Sequence, residues 1–354
     1  MLMVKTKFVA YPILLTPIFK EKVWGGRNLE TLFDKNLPKG KLIGESWEVS
    51  DRPDNSCKIR NGVYRGKDIH FLFENHKKEL LGNTKFSRFP LLIKFIDSQD
   101  DLSVQVHPDD EYANRKENGE WGKSECWYVV DAKKNARIIY GLKGIKNKSE
   151  FKKIVGNGRD RSLLRNHLNY VNVRKGDFIS MPAGTVHALL KDVVVAEIQQ
   201  SSDLTYRLYD WDRKIIDGSR PLHISQAIDV TNLKRKLPKI INTKSKIYRE
   251  QFETVSYKLI DCKYFTVEKL FLKDELIFKG NSKFQIYTII SGEGKILYDC
   301  VASVHLNDEL AKQDRKANQK TVFVKKGYNV IIPASLKNFK IVPKSKIEML
   351  FTTF

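Results

Sequence analysis

Short apolar runs, rich in β-branched and aromatic residues and bounded by Gly, Asp, Asn and Pro, dominate this chain. Examples are 90-PLLIKFIDS-98, 102-LSVQVHP-108, 125-ECWYVVDA-132, 136-ARIIYGL-142, 178-FISMPAG-184 and 192-DVVVAEIQQ-200. Runs of this length between turn residues predict strands, and a chain made mostly of them predicts a sandwich or barrel. The run 8-FVAYPILLTPIF-19 follows Lys5 and Lys7 as a leader peptide would. However, it carries two prolines, has no small-residue cleavage site and enters charged KEK, so it too predicts a strand. Helical spacing occurs in two places. In 66-GKDIHFLFENHKKELLG-82, Ile69, Leu72, Phe73 and Leu80 share a face; 147-NKSEFKKIVGNGRDRSLLRNHLNYV-171 predicts two short helices split at Gly156 and Gly158, with Ser149 as N-cap.

The pattern repeats. The segment 171-VNVRKGDFISMPAGTVH-187 resembles 322-VFVKKGYNVIIPASLKN-338, and 128-YVVDAKKNARIIY-140 resembles 287-YTIISGEGKILY-298 with one residue deleted. Both copies run strand, Gly-containing turn, strand, connection, KG, strand, Pro-Ala. Two related β-domains follow, 1–240 with a helical insertion at about 145–170, and 245–354. The basic stretch 231–249 reads as the linker.

Composition narrows the class. Of 354 residues, 41% are hydrophobic, enough for a core, and no run approaches the roughly 20 apolar residues of a membrane helix. A cytoplasmic protein without a membrane partner is expected. The four cysteines, Cys57, Cys126, Cys262 and Cys300, form no CxxC pair, so neither a disulfide framework nor a Cys-type zinc site is indicated. The net charge of +21 suits an anionic substrate or nucleic acid, but the lysines are scattered and the densest basic stretch has few aromatics. No nucleic-acid partner is expected.

Candidate chemistry lies in the first copy. Gln105 and His107 stand two apart on a strand and so face the same way. Glu125 opens the next strand, where a carboxylate entering a buried run needs a partner. His187 ends the repeat. An amide oxygen, two imidazoles and a carboxylate form an N/O set suited to zinc, with manganese or iron also admissible. In the second copy Asn338 stands at the His187 position and Phe284 at the Glu125 position. A metal-binding first domain and a scaffold-only second domain are expected.

Six segments in order carry a family resemblance: 22-KVWGG-26, 44-GESWEVS-50, 89-FPLLIKFIDSQDDLSVQVHPDD-110, 123-KSECWYVV-130, 182-PAGTVHAL-189 and 197-EIQQSSDLTYRLYDWDR-213. They resemble the type I mannose-6-phosphate isomerases in their short bacterial form, over about residues 11 to 230. The resemblance implies two cupin-like β-barrel or jelly-roll domains, mainly β, with one zinc per chain. It also implies interconversion of mannose 6-phosphate and fructose 6-phosphate. Carried over by position, the metal ligands are Gln105, His107, Glu125 and His187. Trp24, Glu45 and Lys94 serve the substrate, and Lys123, Glu197 and Arg207 the chemistry. Glu197 and Lys123 are both candidates for the base. Arg207 acts either on the ring oxygen and hydroxyls or on the phosphate. Leu189 departs from the Tyr of longer members, so that pocket wall is expected to be more open. The expected assembly is a monomer or homodimer. A non-catalytic carbohydrate-binding or regulatory cupin and a cupin dioxygenase are the alternatives.

Overall fold

The computed structural model describes residues 7–156, 162–213, 220–243, 249–251, 254–280, 282–299 and 319–354. The fold is mainly β. The chain divides into two compact units. A central unit comprises Ile18–Trp47 and Pro90–Lys244; a terminal unit comprises Met1–Pro17, Glu48–Phe89 and Ser245–Phe354. This partition differs from the expected 1–240 and 245–354. The reason is non-local pairing: Leu14 pairs with Val330 and Leu15 with Ile59, tying early segments to the C-terminal strands. The backbone of Ala334 and Ser335 also donates to Leu80 and Glu79 at the end of the helix Ile69–Leu81.

The central unit has a seven-stranded sheet in the order Ile241–Asn242, Asp177–Met181, Glu125–Ala132, Val193–Gln200, Leu91–Ser98, Ile43–Val49, Ile18–Gly26. Its five-stranded sheet runs Leu168–Asn172, Arg137–Leu142, His187–Leu189, Val104–Val106, Tyr206–Tyr209. Among the described residues neither sheet closes into a barrel, since Ile241–Asn242 and Ile18–Gly26 edge the first, Leu168–Asn172 and Tyr206–Tyr209 edge the second, and each pairs on one side only. Strand alternation divides the apolar residues. Ile138, Leu189, Trp127, Val129 and Val195 join one core cluster, to which both sheets contribute. Their chain neighbours Ile139 and Ala188 join another with Phe151, Ile154, Leu164 and Ala227. The helices Lys148–Gly156, Ser162–His167 and Ile224–Val230 therefore cover the outer face of the five-stranded sheet. Full burial of a side chain such as Phe151 contributes roughly 1.5–3 kcal/mol to that docking. The first of these helices is capped by Asn147, whose Oδ1 accepts from Glu150 N at 2.9 Å, so the expected Ser149 cap is corrected by two residues. Gly158 and Cys300 lie outside the described residues. The stretch read as a linker is docked in part: Ile241 pairs with Phe178, and Tyr140 donates to the carbonyl of Pro238.

The terminal unit repeats this design. Its eight-stranded sheet runs Arg249–Gln251, Thr254–Asp261, Thr266–Leu272, Ile347–Thr353, Gln285–Ser291, Asn329–Ile332, Ile13–Thr16, Lys58–Ile59. Its four-stranded sheet runs Leu276–Phe278, Phe339–Pro343, Glu293–Asp299, Gln319–Lys325. The KG turns correspond: Gly176 and Gly327 have φ of 90° and 79°, where only glycine is unstrained, and their N–H groups donate to Val129 and Ile289. That register corrects the alignment of the two copies. Phe178 pairs with Tyr128 as Asn329 pairs with Thr288, so Glu125 corresponds to Gln285, not Phe284. Tyr140 pairs with His187 as Tyr298 pairs with Phe339, so His187 corresponds to Phe339, not Asn338. Hydrogen bonding, rather than residue similarity, sets which positions are equivalent.

Candidate metal centre and substrate cavity

Two rows of side chains face each other at one end of the central unit. On the five-stranded sheet, Gln105 lies between His187 and Arg207 in register. On the seven-stranded sheet, Glu197 lies between Trp127 and Lys94. Glu125 shares the face of Trp127 by alternation. His107 falls just past the strand Val104–Val106 and is buried, 2% exposed.

His107, Glu125 and His187 offer ligand atoms within 4.8 Å of one another. His187 Nε2 is 3.2 Å from Glu125 Oε1, and His107 Nε2 is 3.5 Å from Glu125 Oε2. The other ring nitrogens point outward: His107 Nδ1 lies 2.7 Å from the carbonyl of Leu204, and His187 Nδ1 lies 2.9 Å from that of Thr185. A carbonyl only accepts, so each Nδ1 carries a proton, and the Nε2 of each ring is the atom turned inward. No hydrogen bond of proper geometry reaches His107 Nε2 or either Glu125 oxygen, although all are buried. Three lone-pair donors converging in a buried space are what a cation satisfies and what bare burial penalises. The Gln105 Nε2 lies 3.4 Å from His187 Nε2, so a half-turn of that amide would bring its oxygen, an acceptor, to the same place. The set fits a divalent metal of the N/O-seeking kind.

Charges alternate around this point. Lys123 Nζ is 3.1 Å from Glu125 Oε2. Burial opposes ionisation of Glu125, but the neighbouring Lys123 charge holds its carboxyl well below the usual range. Burial, then the Lys123 charge, hold His107 well below its ordinary value and so neutral. Lys94 lies 3.5 Å from Glu197, 3.8 Å from Glu45 and 3.9 Å from Asp203. Burial works against its charge, but Glu45 and Glu197 raise its pKa above the ordinary lysine value. Glu45 is itself pulled down to about 2, against burial, by Lys94 and Lys22. Glu197 goes the other way: burial and the Glu125 charge raise it. Trp127 Nε1 donates to its Oε2 at 2.9 Å, while Oε1 has no hydrogen-bond partner.

These groups line a cavity of about 210 Å³. Trp24, Glu45, Lys94, Gln105, Lys123, Glu197 and Arg207 all open on it, whereas the buried His107, His187 and Glu125 do not line it. Leu189 lines the cavity; it is 1% exposed and packed in the core. Among the described residues Arg207 forms no carboxylate pair within 4.0 Å: Asp210 is held by Arg213 and Arg220, Asp212 by Arg165, and Asp203 by Lys94. Arg207 instead donates Nη1 to the carbonyl of Pro221, and its buried Nε has no partner. Burial and the neighbouring Arg220 charge weigh against this cation, so a bound anion would relieve it.

Sequence reasoning missed Lys22, Asp203, Arg220 and His223, which also line the cavity. Lys22 was within reach, since it stands two before Trp24 and pairs with Glu45 at 3.3 Å. Arg220 and His223 follow a segment without periodic signal, and only folding returns them to the site.

Residues 13–153 match the family described as phosphomannose isomerase type I, catalytic domain. The chain is 37% identical to the mannose-6-phosphate isomerase ManA of Bacillus subtilis (strain 168), over 93% of this chain and 95% of the relative. It is 38% identical to a mannose-6-phosphate isomerase of Streptococcus mutans, over 81% and 87%. The crystal structure of a mannose 6-phosphate isomerase from Bacillus subtilis superposes with a TM-score of 0.83 at 34% identity, covering 97% of this chain and 99% of that one.

Proposed function

The chain belongs to the type I phosphomannose isomerase family, and on that premise we propose that its central cavity isomerises a six-carbon phosphosugar. The activity is the metal-dependent interconversion of mannose 6-phosphate and fructose 6-phosphate. We assign Gln105, His107, Glu125 and His187 as ligands of one zinc ion per chain, and read each unit as a cupin-like jelly roll. When bound, zinc would supply Lewis-acid polarisation of the sugar oxygens at the reacting carbons.

The residues divide the remaining work. A proton must move between C1 and C2. Glu197 suits the base better than Lys123: burial and the Glu125 charge raise its carboxyl pKa toward neutrality and its Oε1 accepts no hydrogen bond, though Lys94 lies 3.5 Å from it, whereas Lys123 is held against Glu125 at 3.1 Å. Lys123 steadies charge at the metal end. Lys94 keeps Glu45 and Glu197 apart in charge while facing the cavity. Arg207 supplies the free cation for the phosphate, its fork geometry matching that dianion. Trp24 forms an apolar wall on which the sugar ring packs.

The observation that carries this reading is the convergence of His107, Glu125 and His187 beside a cavity that holds an unpaired arginine. The test is metal content by mass spectrometry with a coupled isomerase assay before and after chelation. One metal per chain, loss of turnover on chelation and recovery with zinc are expected. Full turnover in metal-free protein would refute it.

A further inference from the structure

The terminal unit retains a cavity at the strand positions that form the active cavity in the central unit. Ile96 and Glu197 line the active cavity, and their register equivalents Leu270 and Phe351 line the second. Gln105 likewise corresponds to Phe278, since Gln105 pairs with His187 as Phe278 pairs with Phe339. The second cavity is the larger, about 560 Å³, within the roughly 300–1,000 Å³ common for small-molecule sites.

Its chemistry is inverted. Lys94 pairs with Glu197 across the central sheet; the equivalent pair in the terminal sheet is Glu268 with Phe351. A buried cation has become a carboxylate and a buried carboxylate an aromatic ring. Asp274 and Glu275 lie at the rim, and no Lys or Arg lines this cavity among the described residues. Glu268 Oε2 accepts from Ser256 Oγ at 2.8 Å, which orients the carboxylate without neutralising it. Lys340, 3.1 Å from Glu275, offsets that rim charge alone. Phe278 and Phe351 are only half-buried, so they present apolar surface to the space. Phe278 is fixed by stacking on Phe339, with centroids 4.4 Å apart and planes at 13°. The local carboxylates and aromatic walls of this cavity favour a cation over a phosphosugar, against the chain's overall net charge of +21.

We propose that this cavity binds a small organic ammonium ion with an apolar or ring body. The ammonium pairs with Glu268, and the body packs against Phe278 and Phe351. The proposal stands independently of the isomerase reading.

The test is isothermal titration of the full-length protein with 2-phenylethylamine, using 2-phenylethanol as the neutral match of similar shape. Saturable one-site binding of the amine in the millimolar range or tighter is expected, at least about tenfold tighter than the alcohol. Glu268→Gln should weaken the amine by about tenfold or more and leave phosphosugar turnover unchanged. Phe351→Leu should weaken it several-fold. His107→Ala, which disables the metal centre, should bind the amine as the parent does. Absence of saturable binding, equal affinity for amine and alcohol, or amine affinity that survives Glu268→Gln would each overturn the proposal. If Glu268→Gln fails to fold, the amine–alcohol comparison on the parent protein decides alone.

Discussion

The central and terminal units share strand order and register yet differ most where the chemistry lies. At the positions of Glu125, Trp127, His187 and Gln105, the terminal unit places Gln285, Tyr287, Phe339 and Phe278. Even the ring geometry persists: Trp127 meets His187 edge-on at 5.4 Å and 76°, and Tyr287 meets Phe339 at 6.4 Å and 70°. Gln285 is satisfied locally by the Tyr287 hydroxyl at 2.9 Å, whereas neither Glu125 oxygen receives a proper hydrogen bond. One unit thus turns lone-pair atoms without hydrogen bonds around a point, and the other fills the same space with aromatic packing. Buried polar atoms without partners are costly, so they persist where a ligand satisfies them.

The largest expected effect comes from removing that difference. His107→Ala or His187→Ala should empty the metal site and lower turnover by more than about 10²-fold, because the remaining donors no longer converge. Full metal occupancy measured by mass spectrometry in either variant would reassign the ligands. The converse change, Phe339→His in the terminal unit, should add no second metal. Phe278 and Gln285 still occupy two of the ligand positions, so elemental analysis should remain at one per chain.

Arg207→Ala probes the unpaired cation of the central cavity. Metal content and melting temperature should stay near those of the parent, while turnover falls by roughly 10²-fold. A merely structural arginine would give reduced stability with normal turnover per folded molecule.

Acid sensitivity should also separate the two units. Glu45 falls from an ordinary 4.5 to about 2 in the fold, so its ionised form is favoured there. Its stabilisation is complete above pH 4.5 and is lost as the pH falls toward 2. Comparing the stabilities of the parent and Glu45→Gln across that range should show a gap that closes on acidification, on the order of 3 kcal/mol at its widest. A gap independent of pH would mean that the Lys94 and Lys22 pairs do not control this carboxylate. In the terminal unit, Tyr287→Phe removes a buried hydroxyl from Gln285 and should cost about 1 kcal/mol with turnover unchanged. This is the smallest effect, and a loss of activity would tie the aromatic cluster to catalysis.

Much of the central site was legible in the chain. Alternation placed Lys94 on the face of Leu92 and Ile96, and Lys123 on that of Glu125, and both are seen. The order of strands was legible from short apolar runs because each run is a complete local signal. The equivalence of the two copies was less so. Similarity alone slipped by one residue at both Glu125 and His187, since connections of unequal length leave no mark in a short alignment. Arg220 and His223 carried no pattern of their own.

The sequence by itself determined the mainly β fold, the repeat and the donor types that suit a metal, because period, turn residues and side-chain chemistry are local properties. Only the tertiary structure decided the partition of the chain, the register that sets Phe339 in the place of His187, and the freedom of Arg207 from nearby carboxylates. The reason is that Asp203, Asp210 and Asp212 each stood within a few residues of Arg207 as partners of equal promise. Which cation each one meets depends on Lys94, Arg220 and Arg165, which distant backbone hydrogen bonds bring to them.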